Sequence, residues 1–313
     1  MTRSGAGYKQ SEEIRSGVCH SGTVPFVKFG RRLHSIITSP GNPVLQTAND
    51  AIRFAPRNLS GKSIYSKLSS SMKFFAFLLL LASIGSDVFA FEIPSGASQV
   101  IVGTSDGWNS SHVKLALYEK QGGKWITVGP SWSGRLGKNG LVWGRGLHPV
   151  PEGAKIKREG DGRAPAGVFD LGGAWGYAPS IQKAPSLSYV QVTSRDLWYE
   201  DVNSPLYNQY LRIDHDPSTA AEKKAQMKQG DAAHSLKLFI AHNAYPRTQA
   251  GAGSSIFFHI WRNGGGSATA GCTTMAEENL KRLIASIDPA KRPLYVLLPQ
   301  ADYERLRPEW KLP

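Results

Sequence analysis

Between residues 99 and 298 the apolar residues arrive in short runs that alternate or carry β-branched and aromatic side chains, the pattern of sheet and not of helix. The runs are 99–104, 113–119, 125–128, 167–171, 187–193, 236–242, 255–260 and 294–298, with Gly and Pro clusters between them. Alternation at period two turns one face of each run toward a core. Residues 91–313 are enough for one sizeable core and show no internal repeat or low-complexity linker. The expected fold is a single mainly β domain, a sandwich or partly open barrel.

Helical pattern is scarcer. Residues 220–229 are polar and read as a short surface helix. The clearest helix spans 275 to about 287, with Ala276, Leu280, Leu283, Ile284 and Ile287 on one side. Thr274 and Glu277 have the spacing of a capping box, and Pro289 disfavours helical backbone at Asp288.

Residues 72–90 have another character. Met72-Lys73 precedes an apolar run from Phe74 to Ile84, and Val88-Phe89-Ala90 forms a small-residue cleavage site. That is the layout of a signal peptide cut after Ala90. The eleven-residue run is shorter than the about 20 residues of a membrane span, so no permanent span is expected. Residues 1–71 are rich in Ser, Gly, Arg and Lys and show no periodicity. Two readings stand for them: a start placed upstream of the real one at Met72, or a basic extension resembling a transit sequence.

Ten Lys/Arg against three acids put +7 of the chain's +13 charge in residues 1–71, which leaves +6 on 91–313. That balance suits an anionic envelope surface or ordinary solubility. No basic-aromatic stripe marks a nucleic-acid site, and no nucleic-acid partner is expected.

Cys19 lies upstream of the signal-like segment, so Cys272 is the only thiol of residues 91–313. An exported chain with one thiol forms no internal disulfide, and an oxidising compartment selects against idle thiols. Cys272 follows His259 by thirteen residues and sits in Thr269-Ala270-Gly271-Cys272. If Thr274 caps the helix, the thiol faces unpaired N–H groups and the positive end of a helix dipole, both favouring thiolate. Gly271 lets backbone approach a bound carbonyl, and neighbouring N–H groups could hold the oxyanion. His259, at the end of a strand, is the candidate base. The bland alternatives are a buried apolar cysteine and a core histidine.

Three blocks share a known pattern. Ser254-Ser255-Ile256-Phe257-Phe258-His259-Ile260-Trp261-Arg262, a glycine-rich loop and Thr269-Ala270-Gly271-Cys272-Thr273 together resemble the active-site segment of the L,D-transpeptidase (YkuD-type) catalytic domain. Lys157-Arg158-Glu159-Gly160-Asp161-Gly162-Arg163-Ala164-Pro165-Ala166-Gly167-Val168-Phe169 resembles its Lys-x-Glu-Gly-Asp…Pro-x-Gly-x-Phe segment. Asp201-Val202-Asn203-Ser204-Pro205-Leu206-Tyr207-Asn208 is similar to a stretch of its envelope-associated members. The likeness spans residues 113–299. It implies a mostly β fold with Cys and His at the mouth of a cleft, and peptidoglycan stem peptides as partners. Cys272 then corresponds to the nucleophile, His259 to the base, and Gly271 with Cys272 to the oxyanion backbone. Arg262 could meet a stem carboxylate, with Trp261 and Thr273 as further substrate contacts. Attack on the third stem residue would expel the terminal D-alanine, and the thioester would pass to an amine. Two readings differ only in later use of the cleft: an L,D-carboxypeptidase using water, or a non-catalytic wall-binding module. The chain departs from the family where Ile260 follows the histidine and Thr274 stands two after the cysteine.

Other candidates read as structure. Lys157, Glu159 and Asp161 fit a turn before a strand. His242 is a strand-end residue or a second cleft histidine. Asp214-His215-Asp216 has no matching His/Asp pair elsewhere and reads as a solvated loop; no metal and no cofactor are expected. Gly264-Gly265-Gly266, with no Lys-Ser/Thr after it, reads as a flexible lip of the cleft.

Overall fold

The computed structural model describes residues 91–313; the basic stretch 1–71 and the signal-like segment 72–90 lie outside the described residues. Thirteen strands occur among them. The principal sheet contains β1 (Gln99–Ser105), β2 (His112–Gln121), β3 (Lys124–Thr127), β4 (Trp132–Arg135), β6 (Ala164–Gly176), β10 (Leu236–Ile240), β11 (Phe257–Ile260), β12 (Thr273–Met275) and β13 (Leu294–Pro299). Its order is β1-β13-β6-β10-β11-β12-β4-β2-β3. Because β1 also pairs antiparallel with β2, the path returns on itself and the sheet is a closed barrel. β5 (Leu141–Trp143) and β7 (Tyr189–Gln191) add to β6, and β8 (Asp196–Trp198) pairs with β9 (Tyr210–Arg212) in a separate ribbon. Mainly β architecture with a barrel-like sheet matches the expectation from alternation.

The pleat sorts the core. Ile101, Leu238, Phe258, Tyr295 and Leu297 pack inside the barrel. Their neighbours Val100, Val102, Val296 and Leu298 point outward beneath a helix carrying Tyr303, Leu306 and Trp310. On another outer face Phe239 and Phe257 meet Trp175 and Trp198, which belong to β6 and β8. That aromatic cluster fixes the β8–β9 ribbon against the barrel wall.

Three α-helices complete the described chain: α1 (Ala220–Ala225), α2 (Glu277–Ser286) and α3 (Gln300–Trp310). Leu280, Leu283 and Ile284 of α2 enter the barrel core, as the periodicity of that segment predicts. The helix start differs from expectation. Thr274 belongs to β12, its hydroxyl reaches Arg135 O at 3.5 Å, and Ala276 occupies the N-cap without a side-chain bond. The capping box forms instead at Thr219 and Glu222 of α1. Among the described residues no helix is long and apolar enough to cross a membrane.

Candidate active site

Three adjacent strands bring the histidine and the cysteine to one wall. In β10 and β11 Lys237 faces His259 and Phe239 faces Phe257; in β11 and β12 His259 faces Thr274. Residues opposite each other, and residues two apart on a strand, point to the same side. Lys237, Phe257, His259 and Thr274 therefore share the outer face, whereas Leu238, Phe258 and Met275 point into the barrel. Cys272 enters β12 beside Phe257, whose N–H donates to its Sγ at 3.4 Å. These side chains line a cavity of about 340 Å³. β11 and β12 are parallel neighbours, so residues 261–272 must carry the chain back to start β12 in the same direction. The thirteen-residue separation of His259 and Cys272 is the length of that return.

The turn before Cys272 is clamped. The Thr269 hydroxyl accepts from Gly271 N at 3.0 Å and donates to Cys272 O at 2.7 Å. A Cβ on Gly271 would stand 3.0 Å from Arg163 O and 3.2 Å from Ile256 Cδ1, so a side chain there would displace the turn. Gly271 thus serves by close approach, and its own N–H is spent on Thr269.

Electrostatics overturn the expectation of helix-dipole activation. A strand stands between Cys272 and α2, and burial pushes the thiol up to about 11, against partial relief from the Phe257 N–H. Its Sγ donates to Ser255 O at 3.4 Å. His259 is 7% exposed; burial, then the nearby His234, hold it down to about 4. A carbonyl can only accept, so the 2.9 Å contact of Nδ1 with Ile260 O puts the ring hydrogen on Nδ1 and leaves Nε2 basic. At neutral pH thiol and imidazole are both uncharged.

Burial also lowers His148 to about 4 and His242 to about 3, from an ordinary 6.5. The unfolded chain protonates all three rings near pH 6.5, while in the folded chain His148 and His259 resist until about pH 4 and His242 until about pH 3. Their contribution to stability is therefore whole above pH 6.5 and disappears as pH falls through that window. Urea melts at stepped pH should show several kcal/mol lost on acidification, with about three protons taken up on unfolding. A flat midpoint across the window would contradict this.

The three sequence blocks converge here. Glu159 accepts from Ser254 Oγ at 2.7 Å and from the Tyr207 hydroxyl. Asn208 Oδ1 accepts from Ser255 N at 2.9 Å and Trp198 Nε1 at 3.1 Å; its Nδ2 donates to His242 O at 3.1 Å and Asn243 O at 2.9 Å. Ser255 is the residue whose carbonyl receives the thiol, so this network sets the cleft floor.

A family model described as the L,D-transpeptidase catalytic domain (YkuD) matches residues 97–296. The chain belongs to that family. L,D-transpeptidase domains of this kind are cysteine-dependent acyltransferases of peptidoglycan. Two solved chains are similar: the helical cell shape determining protein Pgp2 of Campylobacter jejuni (14% identity, TM-score 0.32, 71% of this chain and 54% of that one), and a mutant of it (15%, 0.30, 70% and 53%). The chain spans about half the length of these structures. No curated protein sequence matches it significantly.

Within this L,D-transpeptidase fold the remaining expectations separate. Arg262 lines the cleft but is ion-paired to Asp231, which also holds His234 Nδ1 at 2.7 Å. His234 stacks on His259 with centroids 4.9 Å apart. Trp261 is half-buried and covers Gly265, and neither it nor the Asn263–Gly265 turn with Gly266 is among the residues lining the cavity. Thr273 does not contact the cleft as expected: it is 1% exposed and bonded to Tyr295 OH at 3.1 Å on the core side, while Thr269 and Thr274 line the cavity. Asp161 is a turn residue, accepting from Arg158 N and Arg163 N at 2.9 Å and Lys157 Nζ at 2.5 Å. Lys157 and Glu159 do line the cleft. His242 is not a cleft group: fully buried, it accepts from Arg145 N at 3.1 Å and bonds Ala252 O at 2.9 Å. His215 pairs with Asp214 and Glu222 at the surface. Among the described residues no cluster of three His, Cys, Asp or Glu could hold a metal.

Sequence reading missed Lys237, His234, Asp231 and Glu200. Lys237 had a signal: it is the one charge inside the apolar run 236–240.

Proposed function

We propose that the protein is a peptidoglycan L,D-transpeptidase with Cys272 as nucleophile and His259 as base. The observation that carries the reading is the common face of β10, β11 and β12, which sets both groups in one cavity inside a matching catalytic domain. With thiol and imidazole both neutral at rest, proton transfer to Nε2 accompanies attack and does not precede it. Sγ bonds to the carbonyl carbon of the third stem residue, and its proton passes through His259 to the departing amine of D-alanine. The Cys272 N–H, without a hydrogen-bond partner among the described residues, serves the oxyanion. An amine of a second stem then attacks the thioester, takes the acyl group and returns the proton to sulfur.

The segment 72–90 fits this reading, because a signal of that layout would export residues 91–313 to the periplasm, where peptidoglycan lies. Product analysis on tetrapeptide muropeptides tests the acceptor. Cross-linked dimers are the expected product. Monomeric tripeptides alone would mean that water takes the acyl group, an L,D-carboxypeptidase. Unchanged tetrapeptide with no acyl-enzyme would leave only a wall-binding role.

A further inference from the structure

Two lysines are buried in the cleft, and they differ in one respect. Lys157 and Lys237 are each 4% exposed. Lys157 has a counter-ion, Asp161, at 2.5 Å. Lys237 has none within ion-pair distance among the described residues; its ammonium donates to Met227 O at 3.1 Å and stands 5.7 Å from the centre of the Phe257 ring. Of its three N–H groups, one is used. The nearest acids do not reach it: Asp231 is committed to Arg262 and His234, and Glu200 acts on it only through space.

A buried cation without a partner is expensive against an apolar side chain of similar volume. The fold gains little from it. Phe239, Phe257 and Trp198 already pack the wall beneath, and one backbone carbonyl does not require an ammonium. What Lys237 does have is position, on the face shared with His259 and leaning over Phe257, the neighbour of the thiol.

We infer that Lys237 is the carboxylate-binding residue of the cleft, receiving a free carboxylate of the donor stem beside the bond that Cys272 attacks. The inference rests on the stem-peptide reading above. It assigns to Lys237 what the sequence suggested for Arg262, whose charge Asp231 already takes. Two carboxylates of a tetrapeptide stem lie close enough in the chain: that of the terminal D-alanine, and that on the side chain of the third, diamino acid residue. Either would complete the open N–H groups of Lys237, and a stem amidated at that position would leave the ammonium unpaired.

The test uses the full chain carrying Cys272→Ala, so that binding is read without turnover. Affinity is measured for the tetrapeptide and for two analogues, each with one of these carboxylates converted to the amide. One amide is expected to bind about 10- to 100-fold more weakly, and its identity names the carboxylate. In the Cys272→Ala, Lys237→Met protein that difference should vanish, and the unfolding temperature should be equal or higher. Equal binding of all three peptides, discrimination surviving Lys237→Met, or a much lower unfolding temperature of that variant would overturn the inference. If the tetrapeptide does not bind at all, the stem-peptide reading fails. N-acetyl-D-alanine and its amide then test the subsite alone: selective binding of the acid sustains it, and equal or absent binding ends it.

Discussion

Exchange of Cys272 for Ala is expected to lower stem-peptide turnover by a factor on the order of 10⁴ or more, and to eliminate the acyl-enzyme seen by mass spectrometry. The fold should survive, because Cys272 contributes two long sulfur contacts, to Phe257 N and Ser255 O, and is only a partly buried edge of the cluster around Trp198 and Phe257. A carbapenem, which acylates a reactive thiol, should add its mass to the parent and not to the variant. Cys272→Ser is the sharper comparison. A hydroxyl is a poorer nucleophile than a thiol at equal pH, so serine should keep the 340 Å³ cavity and still lose nearly all turnover. Full activity in either variant, or an adduct that persists in the alanine protein, would remove Cys272 from the reaction.

Replacing Asn208 by Ala is expected to cost about 4 kcal/mol of stability, a large share of a typical domain's total. The carboxamide uses its full capacity, two acceptor and two donor contacts at 2.9–3.1 Å, and is 3% exposed. Truncation strands the Trp198 and Ser255 N–H groups and two carbonyls. Asn208 also has φ of +58°, which Asn tolerates better than Ala. Asn208→Gly separates these causes: it removes the strain and leaves the four lost bonds, so it should recover only a minor part. Denaturant midpoints decide the stability. Where the variants remain folded, turnover should fall as well, because Ser255 supports both the network and the thiol. An alanine variant as stable as the parent would show that the network does not hold the cleft floor.

The barrel was largely legible in the sequence because its strands alternate. Runs 99–104, 236–242 and 294–298 became β1, β10 and β13 with ends shifted by only one or two residues. The strands that escaped, such as β5, β8, β9 and β12, are three residues each, too short for a period to show. β12 had a further effect. Thr274 and Glu277 satisfy the capping-box spacing, but pairing with β4 drew Thr274 into the sheet. With it went the argument for a dipole at the sulfur. Helix α3 was missed because Pro308 lies within it and its buried positions, Tyr303, Leu306 and Trp310, are sparse.

The candidate pair was legible for a different reason. Cys272 stood out as the one thiol downstream of the signal-like segment, and the histidine lay one crossover away. Residues brought in by pairing alone were invisible. His234 and Asp231 reach His259 and Arg262 through the packing of the Ala232–His234 turn on β11. Lys237 could have been flagged from its apolar surroundings, but only the register with His259 gives that charge a location.

The histidine stands on β11 and the cysteine immediately precedes β12, its parallel hydrogen-bonded neighbour, within a sheet whose ends are sewn together. The pairing of β11 with β12 therefore fixes the backbone from which both side chains project. Control of such a site would have to work on access: on the cleft margin at Ser267–Thr269, or on the loop that presents Tyr207 and Asn208. Exchanging those margins could retune what enters while leaving the reacting atoms where they are.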